Sequence, residues 1–205
     1  MAKSQESIRL FENPLLEAMT HVHPIIPLVM WGPFTVWLFY RALILKNVGA
    51  ADMALYAFLG LFVWTITEYV VHRFLFHFPA KSRFGKYLIF LFHGIHHDQP
   101  DDPTRLVMPP VPAVILMAMF FGLFSLVIPE NFIEAFMAWF VIGYLIYDYI
   151  HYATHHFPMK SKVGRYLRKY HLRHHHAKEE SKYGVSNPMW DYILGTVTGP
   201  KKDIK

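Results

Sequence analysis

Imidazole is the reactive group this sequence supplies in quantity: it holds 14 histidines and no cysteine. Twelve of the histidines fall into four groups. His72 and His77 lie in EYVVHRFLFHFP, and His93, His96 and His97 lie in LFHGIHHDQP. His151, His155 and His156 lie in YDYIHYATHHFP, and His171, His174, His175 and His176 lie in KYHLRHHHAK. Residues three and four apart share a helix face, so 93/96/97 and 171/174/175 should each aim their rings at one point, and 151/155 form an i, i+4 pair. Several imidazoles aimed at one point suit a metal ion. His72 and His77 differ, because five residues on a straight helix leave them about 140° apart. They converge only if the helix breaks or bulges near Phe74 to Phe76. His21 and His23 stand apart in the N-terminal arm and read as carbonyl caps or headgroup contacts. The lack of thiols excludes a disulfide scaffold, a zinc ribbon, an iron–sulfur protein and a cysteine nucleophile.

The elements that must position these rings are oily. Hydrophobic residues make up 54% of the 205-residue chain and charged residues 17%, with mean hydropathy +0.22. A spanning helix needs about 20 mostly apolar residues. Four windows qualify, near 24–45, 50–71, 106–128 and 131–150, and they pair into two hairpins across short connections. The polar N-terminal arm, 1–23, lacks the apolar core of a signal peptide, so the first window is expected to remain in the mature chain. With four spans, the arm and the histidine regions 72–105 and 151–205 share one side. That side holds 18 of the 20 Lys and Arg residues, which the positive-inside rule places in the cytoplasm. The expected fold is therefore one all-α integral membrane domain over 1–205. It has four transmembrane helices in two hairpins and a cytoplasmic helical cap holding a histidine-rich metal site, which the resemblance below makes a di-metal one. A metal transporter would instead carry ionisable residues near mid-membrane, where these windows have almost none.

The order H-x4-H, H-x2-H-H, H-x3-H-H, H-x2-H-H resembles the fatty acid hydroxylase/sterol desaturase superfamily of membrane di-metal oxygenases. The stretches EYVVHRFLFH, HGIHHDQPDDPTRLVMPP, YDYIHYATHH, KYHLRHHH and YGVSNPMWDYILGT are similar to its fatty acid 2-hydroxylase branch, which acts on sphingolipid acyl chains. The resemblance runs from about Trp64 to Thr196. It implies ten metal ligands: His72, His77, His93, His96 and His97 in the first half, and His151, His155, His171, His174 and His175 in the second. His156 and His176 are surplus to that pattern. It also implies a monooxygenase hydroxylating the 2-position of fatty acyl chains, free or sphingolipid-linked, with dioxygen as co-substrate. A sterol or other lipid desaturase or hydroxylase with the same histidines is the alternative.

Ten imidazoles around two ions give five ligands each, leaving one open position on an octahedral metal. Hydroxylation needs redox chemistry that zinc lacks, so iron is the functional expectation, with zinc able to occupy the same site in purified protein. Asp148, three residues before His151, and Glu68, four before His72, are placed to orient ligand imidazoles. Asp98 and Asp191 are weaker candidates. Tyr144, Tyr147, Trp139, Phe140 and Trp190 are near enough in sequence to line a substrate channel. Electrons must come from a separate donor, a cytochrome b5-like protein or a ferredoxin. The arm is too short for a haem-binding domain, and no glycine-rich dinucleotide fingerprint is present. The basic face could steer an acidic carrier. A membrane lipid is the expected substrate and no nucleic acid the expected partner, in a bacterial inner membrane or the endoplasmic reticulum.

Overall fold

The computed structural model describes residues 7–176 and 181–198. Lys3, Lys178, Lys201, Lys202 and Lys205, which entered the orientation argument, lie outside the described residues. Among the described residues every regular element is helical. α1 is Pro14–Ala18, capped by Asn13, whose side-chain oxygen accepts from the amides of Leu15 and Leu16. α2, Ile26–Tyr40, widens into a π-helical turn at Arg41–Leu45. α3, Ala50–Val70, widens likewise at Val71–Phe76. α4, Arg83–Ile89, passes through a third such turn, Phe90–Gly94, into α5, Ile95–Asp98. α6 is Pro110–Ser125, α7 Ile133–His156, α8 Lys162–His176 and α9 Met189–Ile193.

Three of these helices are long and apolar enough to cross a membrane: Ile26–Leu45, Ala50–Phe76 and Ile133–His156. The fourth expected span is shorter than its window. α6 has 16 residues, roughly 24 Å against a hydrocarbon layer of about 30 Å. The window lost both ends for local reasons. Leu106 and Val107 leave the helix to bury against Val22, whose amide donates to the Thr104 carbonyl at 2.8 Å. Leu126 and Val127 form a turn ahead of Pro129.

Directions follow from contacts at the helix ends. Arg41 and Lys46, at the end of the first hairpin arm, meet Glu134 at the start of α7, at 3.0 and 2.7 Å. At the other end the Tyr149 hydroxyl donates to the Pro24 carbonyl at 3.0 Å. α2 therefore runs antiparallel to α7. α3 runs parallel to α7, because both deliver histidines from their C-terminal ends to one place. α6 is the return leg that carries the chain from that end to the start of α7.

α7 is the axis of the bundle, packed against both α2 and α3. Phe136, Phe140 and Val141 are wholly enclosed. The α3–α7 approach is set by two glycines. A Cβ on Gly60 would lie 2.6 Å from the Phe136 carbonyl oxygen, and one on Gly143 would lie 2.6 Å from the Trp64 side chain. The N-terminal arm is clamped onto this end by the buried guanidinium of Arg105. It donates to the Ile8 carbonyl, the Glu17 carboxylate and the Thr20 hydroxyl, each at 2.7 Å. Burial alone would raise the Glu17 pKa, but the amides of Phe11 and Leu10 and the Arg105 guanidinium outweigh it and hold the carboxyl at about 2. His21 joins the same network through the Thr104 hydroxyl at 2.7 Å.

Overpacking a tight helix contact costs about 1–3 kcal/mol. Gly60→Ala and Gly143→Ala are each expected to lower the thermal unfolding midpoint in detergent micelles. Gly122→Ala, which has open space around it, is expected to leave that midpoint unchanged or raise it.

Candidate metal centre

Ten histidines converge at the C-terminal ends of α3 and α7 and form two groups of five, with donor nitrogens within 4.8 Å of one another in each group. The first holds His72, His77, His93, His97 and His174; the second holds His96, His151, His155, His171 and His175. These are the ten positions read from the sequence, but the division is not by halves of the chain. His174 crosses into the first group and His96 into the second. His156, whose ring lies tilted against Tyr152 at 4.4 Å, and His21, His23 and His176 belong to neither group.

Local geometry explains the crossing. The wide turn at Val71–Phe76 closes with the His77 amide donating to the His72 carbonyl at 3.1 Å, an i+5 bond that stacks these two residues. The bulge thus falls where convergence of His72 and His77 requires one. The pairs 93/97, 151/155 and 171/175 are i, i+4, and each pair stays within one group. An i+3 residue points about 100° away from the i+4 residue, so His96 and His174 turn to the neighbouring group. The expectation that each helical cluster serves a single point is corrected accordingly. The two groups meet where His97 stacks on His175 at 4.2 Å.

The spacing of the rings is informative. In the first group the Nε2 atoms of His72 and His97 lie 3.0 Å from that of His93, and those of His77 and His174 lie 3.1 Å apart. In the second the pairs 96/151 and 171/175 are at 3.0 Å and 155/171 at 2.8 Å. Nitrogens roughly 2.1 Å from a shared ion and at right angles are about 3.0 Å apart, against about 3.4 Å for a tetrahedron. Spacings of this size fit imidazoles that would share one ion in each group. The rings are also held neutral. Burial, and then neighbouring imidazoles, hold His93, His96 and His171 well below the usual histidine range. The same causes push His77 and His97 down to about 3. Neutral rings keep the lone pair that coordination uses.

Two rings are oriented by backbone. The Nδ1–H of His72 donates to the Tyr183 carbonyl at 2.5 Å, and that of His174 donates to the Ser181 carbonyl at 2.7 Å. A carbonyl only accepts, so both rings carry the proton on Nδ1 and leave Nε2 free. The segment presenting these carbonyls is pinned by two buried carboxylates. Asp191 accepts from the amides of Tyr183 at 2.9 Å and Gly184 at 2.7 Å. Glu68 accepts from the amides of Val185 and Ser186, both at 2.7 Å, and from the Ser186 hydroxyl. Gly184 has no room for a side chain, since its Cβ would meet the Asn187 carbonyl oxygen at 2.1 Å.

The expected carboxylate roles change as a result. Glu68 holds the segment that orients His72 and His174 rather than an imidazole itself, and Asp191, the weaker candidate, does the same. Asp148 accepts from the Tyr144 hydroxyl at 3.4 Å, and Asp98 is exposed at the end of α5. The carbonyls of Ser181 and Tyr183 escaped sequence reasoning because a backbone acceptor has no residue type. The turn-forming run GVSNP beside them was the available signal.

An apolar cavity descends from His93 and His151 between α2, α3, α6 and α7, past Tyr147, Tyr144, Trp64 and Trp31 to Met117 and Phe120. Of the five aromatics considered, Tyr144 and Tyr147 line it. Phe140 packs against Trp64 and Phe124, Trp139 against Phe39, and Trp190 against Phe62. Leaving a buried donor unsatisfied costs about 1–3 kcal/mol. Glu68→Ala, which removes the acceptor oxygens, is therefore expected to speed amide hydrogen exchange at Val185 and Ser186 by about tenfold or more, while exchange in the middle of α7 stays unchanged.

The family model described as fatty acid hydroxylase matches residues 57–196, a stretch containing all ten converging histidines. The chain is 34% identical to the dihydroceramide fatty acyl 2-hydroxylase FAH2 of Arabidopsis thaliana, over 98% of this chain and 84% of that protein. It is 35% identical to the fatty acid 2-hydroxylase of Rattus norvegicus, over 97% of this chain and 59% of that one. For the ceramide very long chain fatty acid hydroxylase SCS7 of Saccharomyces cerevisiae the identity is 38%, over 95% and 50%. The chain thus spans about half to three fifths of the rat and yeast proteins. A solved structure of full-length scs7p, with only its hydroxylase domain visible, superposes with a TM-score of 0.86 and 38% identity, covering 96% of this chain and 74% of that one. With the match running through every histidine of both groups, the chain belongs to the fatty acid hydroxylase family.

Proposed function

We propose that this protein is a membrane di-metal monooxygenase that hydroxylates the 2-position of fatty acyl chains, free or sphingolipid-linked. One oxygen atom of O2 enters the C–H bond; the other leaves as water, with two electrons and two protons drawn from outside. The observation that carries this reading is the placement of His93 of one group and His151 of the other at the head of one apolar cavity. The names of the relatives, fatty acyl 2-hydroxylases and ceramide hydroxylases, supply the position and the lipid.

His72, His77, His93, His97 and His174 would hold one ion and His96, His151, His155, His171 and His175 the other. Iron, when bound, supplies the redox chemistry with dioxygen that zinc lacks; zinc is the expected substitute in purified protein, because imidazole binds it well. The chain's own contribution is positioning. Ser181 and Tyr183 fix two ring tautomers, and the cavity walls hold an acyl chain out of water with its head near the histidines.

α6 completes a fourth crossing as the return leg between α3 and α7, giving two hairpins. The histidine end faces the cytoplasm of a bacterial inner membrane or the endoplasmic reticulum, supported by the basic residues gathered there. Electrons come from a separate acidic carrier, a cytochrome b5-like protein or a ferredoxin. Its dock is the basic groove of Arg165, Arg168, Lys169 and Arg173 on α8, the helix that also carries His171 and His175.

Lipid analysis of cells expressing the wild type should reveal 2-hydroxy acyl chains that are absent with His171→Ala or His96→Ala. Altered sterols with unchanged acyl chains would overturn the assignment. Metal analysis should find about two ions per wild-type chain and fewer in either variant. Charge reversal at Arg165, Arg168 and Lys169 is expected to slow turnover several-fold with a physiological carrier, leaving metal content intact; an unchanged rate would remove α8 as the dock.

A further inference from the structure

α9 belongs by sequence to the polar tail, yet it sits beside the middle of a membrane helix. The Trp190 indole N–H donates to the Thr65 hydroxyl at 3.0 Å, and its ring lies 5.9 Å from that of Phe62. The apolar helix Ala50–Phe76 has 27 residues, more than the 17–25 or so that a crossing uses. Whichever 17 consecutive residues of it occupy the hydrocarbon, Phe62 and Thr65 are among them. Trp190 therefore reaches hydrocarbon depth.

The surroundings of α9 agree with that depth. Its inward residue, Asp191, is wholly buried, while Tyr192, Ile193 and Leu194 are 60%, 61% and 50% exposed. This apolar face continues the outward surface of α3, where Phe58 is 65% and Phe62 42% exposed. Irregular backbone at membrane depth is tolerated only when protein groups satisfy its polar atoms. Four consecutive amides, Tyr183 to Ser186, are bonded to Asp191 and Glu68.

We propose that α9 is a membrane-seated element that dips from the histidine end into the acyl-chain region of the bilayer, with Ile193 and Leu194 against lipid tails and the Tyr192 hydroxyl held at 3.1 Å by that of Tyr166 on α8. The two buried carboxylates are what allow the non-helical segment before it to accompany α9 to that depth. This inference rests on α3 crossing the membrane and is independent of the reaction catalysed.

The chain contains no cysteine, so a single introduced one reports cleanly. Ile193→Cys, Phe58→Cys and Lys169→Cys, each carrying a nitroxide label, would be reconstituted with bound metal in phosphatidylcholine vesicles. Power-saturation spectroscopy would compare collisions with oxygen, which concentrates in the bilayer, and with a water-soluble nickel chelate. At position 193 oxygen access is expected to exceed nickel-chelate access several-fold, as at the lipid-facing position 58, with the order reversed at 169. Nickel access at 193 equal to that at 169 would place α9 in water and overturn the proposal. Low access to both reagents at 193 would overturn it too, by showing that another protein surface, such as a second copy of the chain, covers this face.

Discussion

The whole molecule answers to one constraint: ten imidazole nitrogens, brought from four stretches of chain, must meet in two adjoining sets of five. Each remaining choice of the fold serves that meeting. α3 and α7 run parallel because both must end at the same place, and Gly60 and Gly143 let them approach closely enough for their last turns to face each other. The wide turns at Val71–Phe76 and Phe90–Gly94 rotate His72, His77 and His93 onto faces a regular helix would not give them. α6, sixteen residues long, returns the chain from the histidine end to the start of α7.

A second layer of organisation lies behind the rings. His72 and His174 belong to different halves of the sequence, but both are oriented by one short segment between Ser181 and Tyr183. That segment is in turn gripped by Glu68 from α3 and by Asp191 from α9. α3, α8 and the segment leading into α9 are therefore tied into a single hydrogen-bonded unit around the first histidine group. Rings of the second group lean instead on dense ring-to-ring contact, with His96 edge-on to His151, His155 and His175 at 4.6–4.7 Å.

Much of this was legible in the residues. Histidine spacing together with the family resemblance pointed to all ten converging rings, and the misfit of a five-residue interval called for a bulge near Phe74 to Phe76, within the observed turn Val71–Phe76. Hydropathy found three long helices and the hairpin connections. What it misjudged was the length of α6, because Leu106 and Val107 are apolar for a different reason: they bury against Val22 in a bent, non-helical stretch. Helical spacing also overstated how far i+3 and i+4 residues cooperate, so His96 and His174 were grouped with the wrong neighbours. The part played by Glu68 was hidden because its partners are amides 117 and 118 positions away, a separation no local pattern encodes.

The exchange of His96 and His174 between groups has a consequence in time. As the chain emerges from the ribosome, His72, His77, His93 and His97 are available together, four of the five rings of the first group. The second group then has only His96, and it gains His151 and His155 once α7 is made. Neither set closes until α8 is synthesised, since His171, His174 and His175 are divided between them. The two cages therefore mature unequally along the nascent chain, and α8 is the last piece to reach both.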